Sequence, residues 1–180
     1  LIPEARSHVR VRAIAEIDDD GHELKPKGLV ELVEATNEVV PEGHRNAFAA
    51  AQRVSLSLKQ SRAHAIVGVS ATAAAAAGAS PIPFSDALVL VPIQVAMLSS
   101  ITAVFGVPLS QGFLMSLVAS AATGLGASFA GRAIVTGLLK FVPGANVAAM
   151  AISAATAATL TVAFGEAYIA TLAALFDSTD

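Results

Sequence analysis

Three consecutive carboxylates, Asp18, Asp19 and Asp20, stand before Gly21, and acidic oxygens beside a glycine are the raw material of a calcium loop. Such a loop also needs liganding oxygens at alternate positions and a closing Glu, and Leu29 holds the place of that Glu. The segment therefore reads as a solvated turn. His8, His22, His44 and His64 are scattered without metal-ligand spacing and are read as surface or boundary residues. Serines are abundant, but no nucleophile-elbow sequence occurs and every His lies at or before position 64. No catalytic, cofactor-binding or metal-binding set is expected in this chain.

Composition narrows the remaining classes. The chain has 180 residues with eleven Lys or Arg against fourteen Asp or Glu, too even a balance for a nucleic-acid binder. It has no Cys, which removes disulfides, thiolate nucleophiles and Cys-ligated metal together. The first residues do not resemble a signal peptide, and the chain opens on Leu1 without an initiator Met, as a piece of a longer protein would. A cytoplasmic or inner-membrane setting is the expectation.

Charge is segregated along the chain. Residues 1–62 hold nine Lys or Arg and ten Asp or Glu, whereas between Ala63 and Phe176 the full charges are Asp86, Arg132, Lys140 and Glu166. Three parts are expected: 1–42, a strand and an amphipathic helix left over from an α/β domain; 43–62, a linker helix; and 63–180, a hydrophobic helical domain. In the first part, Val9 to Ala15 alternates like a strand entering a buried sheet, and Glu16 to Lys27 has turn chemistry. From Gly28 a stripe of Leu29, Leu32, Val33, Thr36 and Val40 opposite Glu31, Glu34 and Glu38 predicts a helix stopped by Pro41.

In the hydrophobic part the breaks are prolines and glycines. They predict helices over 65–79, 87–105, 111–140 and 145–176, with Ser85 or Asp86 capping the second and Pro92 kinking it. Ser116, Ser120, Gly124 and Ser128 recur every four residues, a spacing that lets two helix backbones approach closely within lipid or within an Ala-rich soluble bundle. The isolated charges Asp86, Arg132, Lys140 and Glu166 are expected at helix ends, at a membrane interface or in a buried pair, because an ion at mid-bilayer costs roughly 2.5–3.5 kcal/mol. With Arg53, Lys59 and Arg62 on the same side as Arg132 and Lys140, the positive-inside tendency suggests a spanning hairpin of 87–105 and 111–131, with 1–62 cytoplasmic. The fold class expected is mainly α: an Ala/Gly-rich apolar bundle or membrane-associated helices after a strand–helix remnant.

The stretch Gly28-Leu29-Val30-Glu31-Leu32-Val33-Glu34-Ala35-Thr36, ending in Val39-Val40-Pro41-Glu42, resembles the last helix of the G domain in bacterial Era-like GTPases, and Val9 to Ala15 resembles that domain's final strand. Ala79-Ser80-Pro81-Ile82-Pro83-Phe84-Ser85-Asp86 and Pro92-Ile93-Gln94-Val95-Ala96-Met97 are similar to the YcjF-like hydrophobic domain of unknown function that follows such G domains. The resemblance implies a GTPase parent with a C-terminal membrane-associated helical module. The partners expected are membrane lipid or apolar helices, the upstream G domain and a second copy in a homo-oligomer. This chain itself lacks the Gly-x-x-x-x-Gly-Lys-Ser/Thr loop, the magnesium Asp motif and the Asn-Lys-x-Asp base-reading motif. Only Ala13-Ile14-Ala15 falls where the last guanine-contacting loop would be, so GTP and magnesium are expected only in an upstream G domain. The alternative is a soluble helical oligomerisation or partner-binding domain.

Overall fold

The computed structural model describes residues 8–80, 85–124 and 145–177. Among them the order is β1 (Glu16–Ile17), β2 (Glu23–Leu24), α1 (Leu29–Val39), α2 (Glu42–Ala51), α3 (Leu56–Gly78), α4 (Ser85–Phe105), α5 (Gln111–Gly124) and α6 (Ala145–Asp177). The protein is mainly α, as its small-residue composition and proline spacing foretell.

The N-terminal strand is displaced from its expected place. Val9 to Ala15 contributes only a bridge from Arg12 to Lys27, while the paired strands are β1 and β2, antiparallel with Glu16 opposite Leu24 and Ile17 opposite Glu23. The Asp18–His22 turn folds the chain back on itself and makes the local hairpin the available partner. This ribbon is exposed, not the buried sheet expected. Gly28 then takes a positive φ of 79°, where any side chain would run into the Arg10 carbonyl, and α1 starts. Of the expected apolar stripe on α1, Val33 is buried, but Leu32 stays 42% exposed.

The expected single linker helix over 43–62 is instead two helices. Pro41 starts α2, whose last turn gives way at Gln52, and that side chain then organises the break. Gln52 Oε1 accepts from the Val54 and Ser55 amides at 2.9 and 2.7 Å, and its Nε2 donates to the Ser55 carbonyl at 2.8 Å. Ser55 Oγ accepts from the Leu58 amide and so caps α3.

Helices α3 and α6 pack antiparallel. Gly78 lies against Ser153 and Ala154, Val67 against Gly165, and His64 against Glu166. Both helices bury residues at four-residue steps, most of them small: Ala63, Val67 and Ala71 on α3, and Ala149, Ser153, Ala157, Thr161, Gly165, Ile169 and Ala173 on α6. A Cβ at 165 would lie 2.5 Å from Val67 Cγ2 and 3.2 Å from Met97 Sδ, so three helices meet at that glycine. Close approach here comes from absent side chains rather than from interlocking large ones.

Helix α4 is the middle of the bundle, packed on by α2, α3, α5 and α6, and it runs unbroken through Pro92. Val95, Met97, Leu98, Ile101 and Phe105 join Leu114 and Val118 of α5 and Tyr168, Ile169 and Leu172 of α6 in one cluster. The second half of α4 is thus packed against other helices as well as α5, so 89–105 and α5 are not an isolated hairpin, while Val89 and Val91 nearer the start stay 44% and 37% exposed. The remainder of the expected third helix, beyond Gly124, lies outside the described residues.

Candidate functional site

Among the described residues, one group has metal-ligand character: Asp18, Asp20 and His22, whose ligand atoms lie within 4.8 Å of one another. Asp18 Oδ1 is already committed to the hairpin, accepting from the Asp20 amide at 3.1 Å and the His22 amide at 2.8 Å. Gly21, at φ 84°, completes the turn. The carboxylate's evident work is turn closure, the role read for it in the sequence.

The most heavily constrained polar group is Lys59, one turn into α3 and 1% exposed. Its Nζ donates to the carbonyls of Ala49 at 2.7 Å and Ala50 at 3.2 Å, both in the last turn of α2. The same atom donates to Val104 at 3.2 Å and Phe105 at 3.5 Å in the last turn of α4, and sits 5.6 Å from the centre of the Phe176 ring. Last-turn carbonyls have no partner within their own helix and carry the negative end of its dipole. Two such ends face one another here, pressed together at Gly106, whose φ of 75° would strain any other residue and whose Cβ would stand 3.0 Å from the Ala50 oxygen. One ammonium satisfies both. Burial, assisted by the charge of Arg53, pushes Lys59 below its ordinary 10.5.

A second polar group lies one turn further along α3. Glu42, in the first turn of α2, takes Arg45 at 2.6 Å and Arg62 of α3 at 2.8 Å. The hydrogen bond from Arg62 outweighs the opposing effect of burial and, with Arg45, holds the Glu42 carboxyl below its ordinary 4.5. Arg45 also donates to the Val40 carbonyl at 3.0 Å, pinning the corner between α1 and α2. Beyond this cluster opens a groove of about 350 Å³ between α2, α3 and α4, floored by Ala65, Ile66, Val69 and Met97.

The residues singled out in the sequence fall in several places. Ser116 and Ser120 lie on the exposed side of α5, whose Leu114 and Val118 face the core, and Gly124 closes that helix. Asp86 stands in the first turn of α4. Ser128, Arg132 and Lys140 lie outside the described residues. Glu166 is half-exposed and meets His64 Nδ1 at 2.9 Å across the α3–α6 seam. The sequence takes Lys59 only as one of the basic residues flanking the apolar part, and gives no place to Gly78 and Gly165. Regular four-residue recurrence of small residues along 149–173 was the available signal for the glycine contacts.

Residues 44–178 match the family described as Domain of unknown function (DUF697). The chain belongs to that family. No curated protein and no solved structure matches it. The DUF697 segment begins within α2 and takes in Lys59, Arg45, Arg62 and the whole of α3 to α6, whereas Glu42 of the groove and the Asp18–His22 turn precede it. Within it, α6 over Val147–Asp177 is long and apolar enough to cross a membrane by length and composition, with mean hydropathy 1.8. Val89–Phe105 and Gly112–Ala121 are shorter apolar stretches.

Proposed function

We propose that this DUF697 chain is a membrane-associated helical module that anchors or couples an upstream Era-like GTP-binding domain to the cytoplasmic membrane, with residues 1–62 on the cytoplasmic side. The observation that carries the reading is the outer surface of the bundle. Val69, Val147, Leu175, Ile152, Met115 and Phe113 are each half or more exposed, and between Val147 and Phe176 the sole charged residue is Glu166. Only 22% of the most apolar window of α6 is covered by the rest of the fold. Large apolar side chains left half or more exposed on three helices carry a cost in water that lipid removes.

Two further features support the reading. Arg45, Arg53, Lys59 and Arg62 precede the uncharged stretch, the arrangement the positive-inside tendency favours on the cytoplasmic side. In the N-terminal unit Ile14, Ile17 and Val39 are 75%, 73% and 52% exposed, which supports a neighbouring domain lying against them.

A soluble partner-binding or self-associating bundle is the second reading, favoured by the closure of the α3–α4–α6 core within one chain. Fractionation of cells producing the chain separates the two. Retention in the membrane pellet after a high-salt and alkaline wash is expected. Recovery as a monodisperse species in plain buffer overturns the membrane reading.

A further inference from the structure

The groove between α2, α3 and α4 has a polar end and an apolar run. On α3 its lining follows one face: Arg62, then Ala65 and Ile66, then Val69 and Ser70, at helical steps of three and four. Helix α4 supplies Ala96, Met97 and Ser100 opposite. The Ser100 hydroxyl is spent on the Ala96 carbonyl at 2.8 Å, and Ser70 at the far end is the other hydroxyl on an otherwise apolar run.

At the polar end Arg62 pairs with Glu42, and Arg45, outside the lining, pairs with the same carboxylate, so the cluster is net positive. Arg62 has five N–H donors and gives one to Glu42. Its side chain is 17% exposed, held at the groove rather than waving in solvent. A planar guanidinium in such a place matches a phosphate by paired hydrogen bonds. Arg62 is also the last charged residue before Asp86, so it stands where the charged part of the protein gives way to the apolar part.

We propose that this groove seats one anionic membrane lipid, with its phosphate on Arg62 and an acyl chain along Ile66, Val69 and Met97. This rests on the membrane-associated reading above. The charge pattern of the groove, basic at one end and uncharged along the rest, favours an amphiphile. An amphiphile with one negative head and a narrow tail meets both ends of the groove at once.

The test is co-sedimentation of the full chain with phosphatidylcholine vesicles and with equimolar phosphatidylcholine–phosphatidylserine vesicles. Wild type is expected to prefer the anionic vesicles. Arg62→Gln and Glu42→Gln both sever the same ion pair, but the first lowers that preference about fivefold, the effect of one basic residue at an anionic surface, and the second raises it. Lys25→Gln, the same charge change on the distant hairpin, has a smaller effect than Arg62→Gln, and Ala96→Phe, which fills the groove without altering charge, lowers the preference too. The lipid seat is overturned if Arg62→Gln and Glu42→Gln move the preference in one direction, if Lys25→Gln equals Arg62→Gln, if Ala96→Phe changes nothing, or if inorganic phosphate competes as well as the lipid. Failure of wild type to bind either vesicle would instead sink the membrane reading itself.

Discussion

Lys59 Nζ lies 3.2 Å from the Val104 carbonyl, so a cation in the first turns of α3 closes the far end of α4. Replacing it with Met keeps the apolar stem and removes the donor from the Ala50, Val104 and Phe105 carbonyls, while Ala49 keeps only its longer bond from Gln52 at 3.4 Å. Lys59→Met is expected to cost roughly 2–3 kcal/mol, read as a lowered midpoint of chemical unfolding in mild detergent. The pH dependence has a definite sign. Burial holds Lys59 below 10.5 in the folded chain, so between its folded value and 10.5 the unfolded chain binds more protons and stability rises with pH. Relative to Lys59→Met, wild type is therefore expected to gain stability as pH approaches 10.5. A flat difference between the two would show that the ammonium is not penalised by its surroundings.

Glycines on α3 divide by what stands near them. A Cβ at Gly78 would lie 2.8 Å from the Ser153 oxygen and 2.9 Å from the Ala154 Cα, backbone atoms that cannot rotate away, whereas Gly68 has nothing within 4 Å. Gly78→Ala is expected to destabilise by about 1–3 kcal/mol as α3 and α6 are forced apart. Gly68→Ala should stabilise by about 1 kcal/mol through helix propensity alone. Parallel thermal unfolding of the two variants checks the opposite signs.

Thr102 and Tyr168 hold α4 to α6 through a 2.7 Å contact between their hydroxyls. Thr102 Oγ1 already donates to the Leu98 carbonyl at 2.6 Å, so the Tyr168 hydroxyl is the donor between the pair. Tyr168→Phe removes a single bond and strands nothing, for a cost of about 1 kcal/mol. Thr102→Val strands a buried phenol and should cost more, up to about 3 kcal/mol. Equal losses in the two variants would mean that water reaches the site.

Much of the helical plan was legible because its punctuation is local. Pro41 separates α1 from α2, Gly106 and Pro108 separate α4 from α5, and α6 runs over nearly the expected residues. The break at Gln52 was not legible, because it is made by a side chain bonding to neighbouring amides rather than by a proline or glycine. Lys59 was hidden for a different reason. A lysine among Arg53, Gln60 and Arg62 reads as a solvated face, and it is buried only because the ends of α2 and α4, more than fifty positions apart in the chain, converge on it. The hairpin was read as a turn without strands, since two-residue strands leave no alternation to detect. Glu166 could be placed inside an apolar helix from sequence, but its neighbour His64 belongs to a helix that only tertiary packing brings near.

The recurrence of small residues along α6 fixes how this helix can vary. Each four-residue step turns the stripe about 40° around the axis, so over its length it winds from the face that meets α3 toward the face that meets α4. Trading one alanine for another small residue leaves that winding intact. Gaining or losing a single residue midway would rotate every later position by about 100°, carrying the Ile169 and Leu172 side chains out of the core and turning outward-facing alanines inward. Insertions and deletions, far more than substitutions, are what this helix cannot absorb.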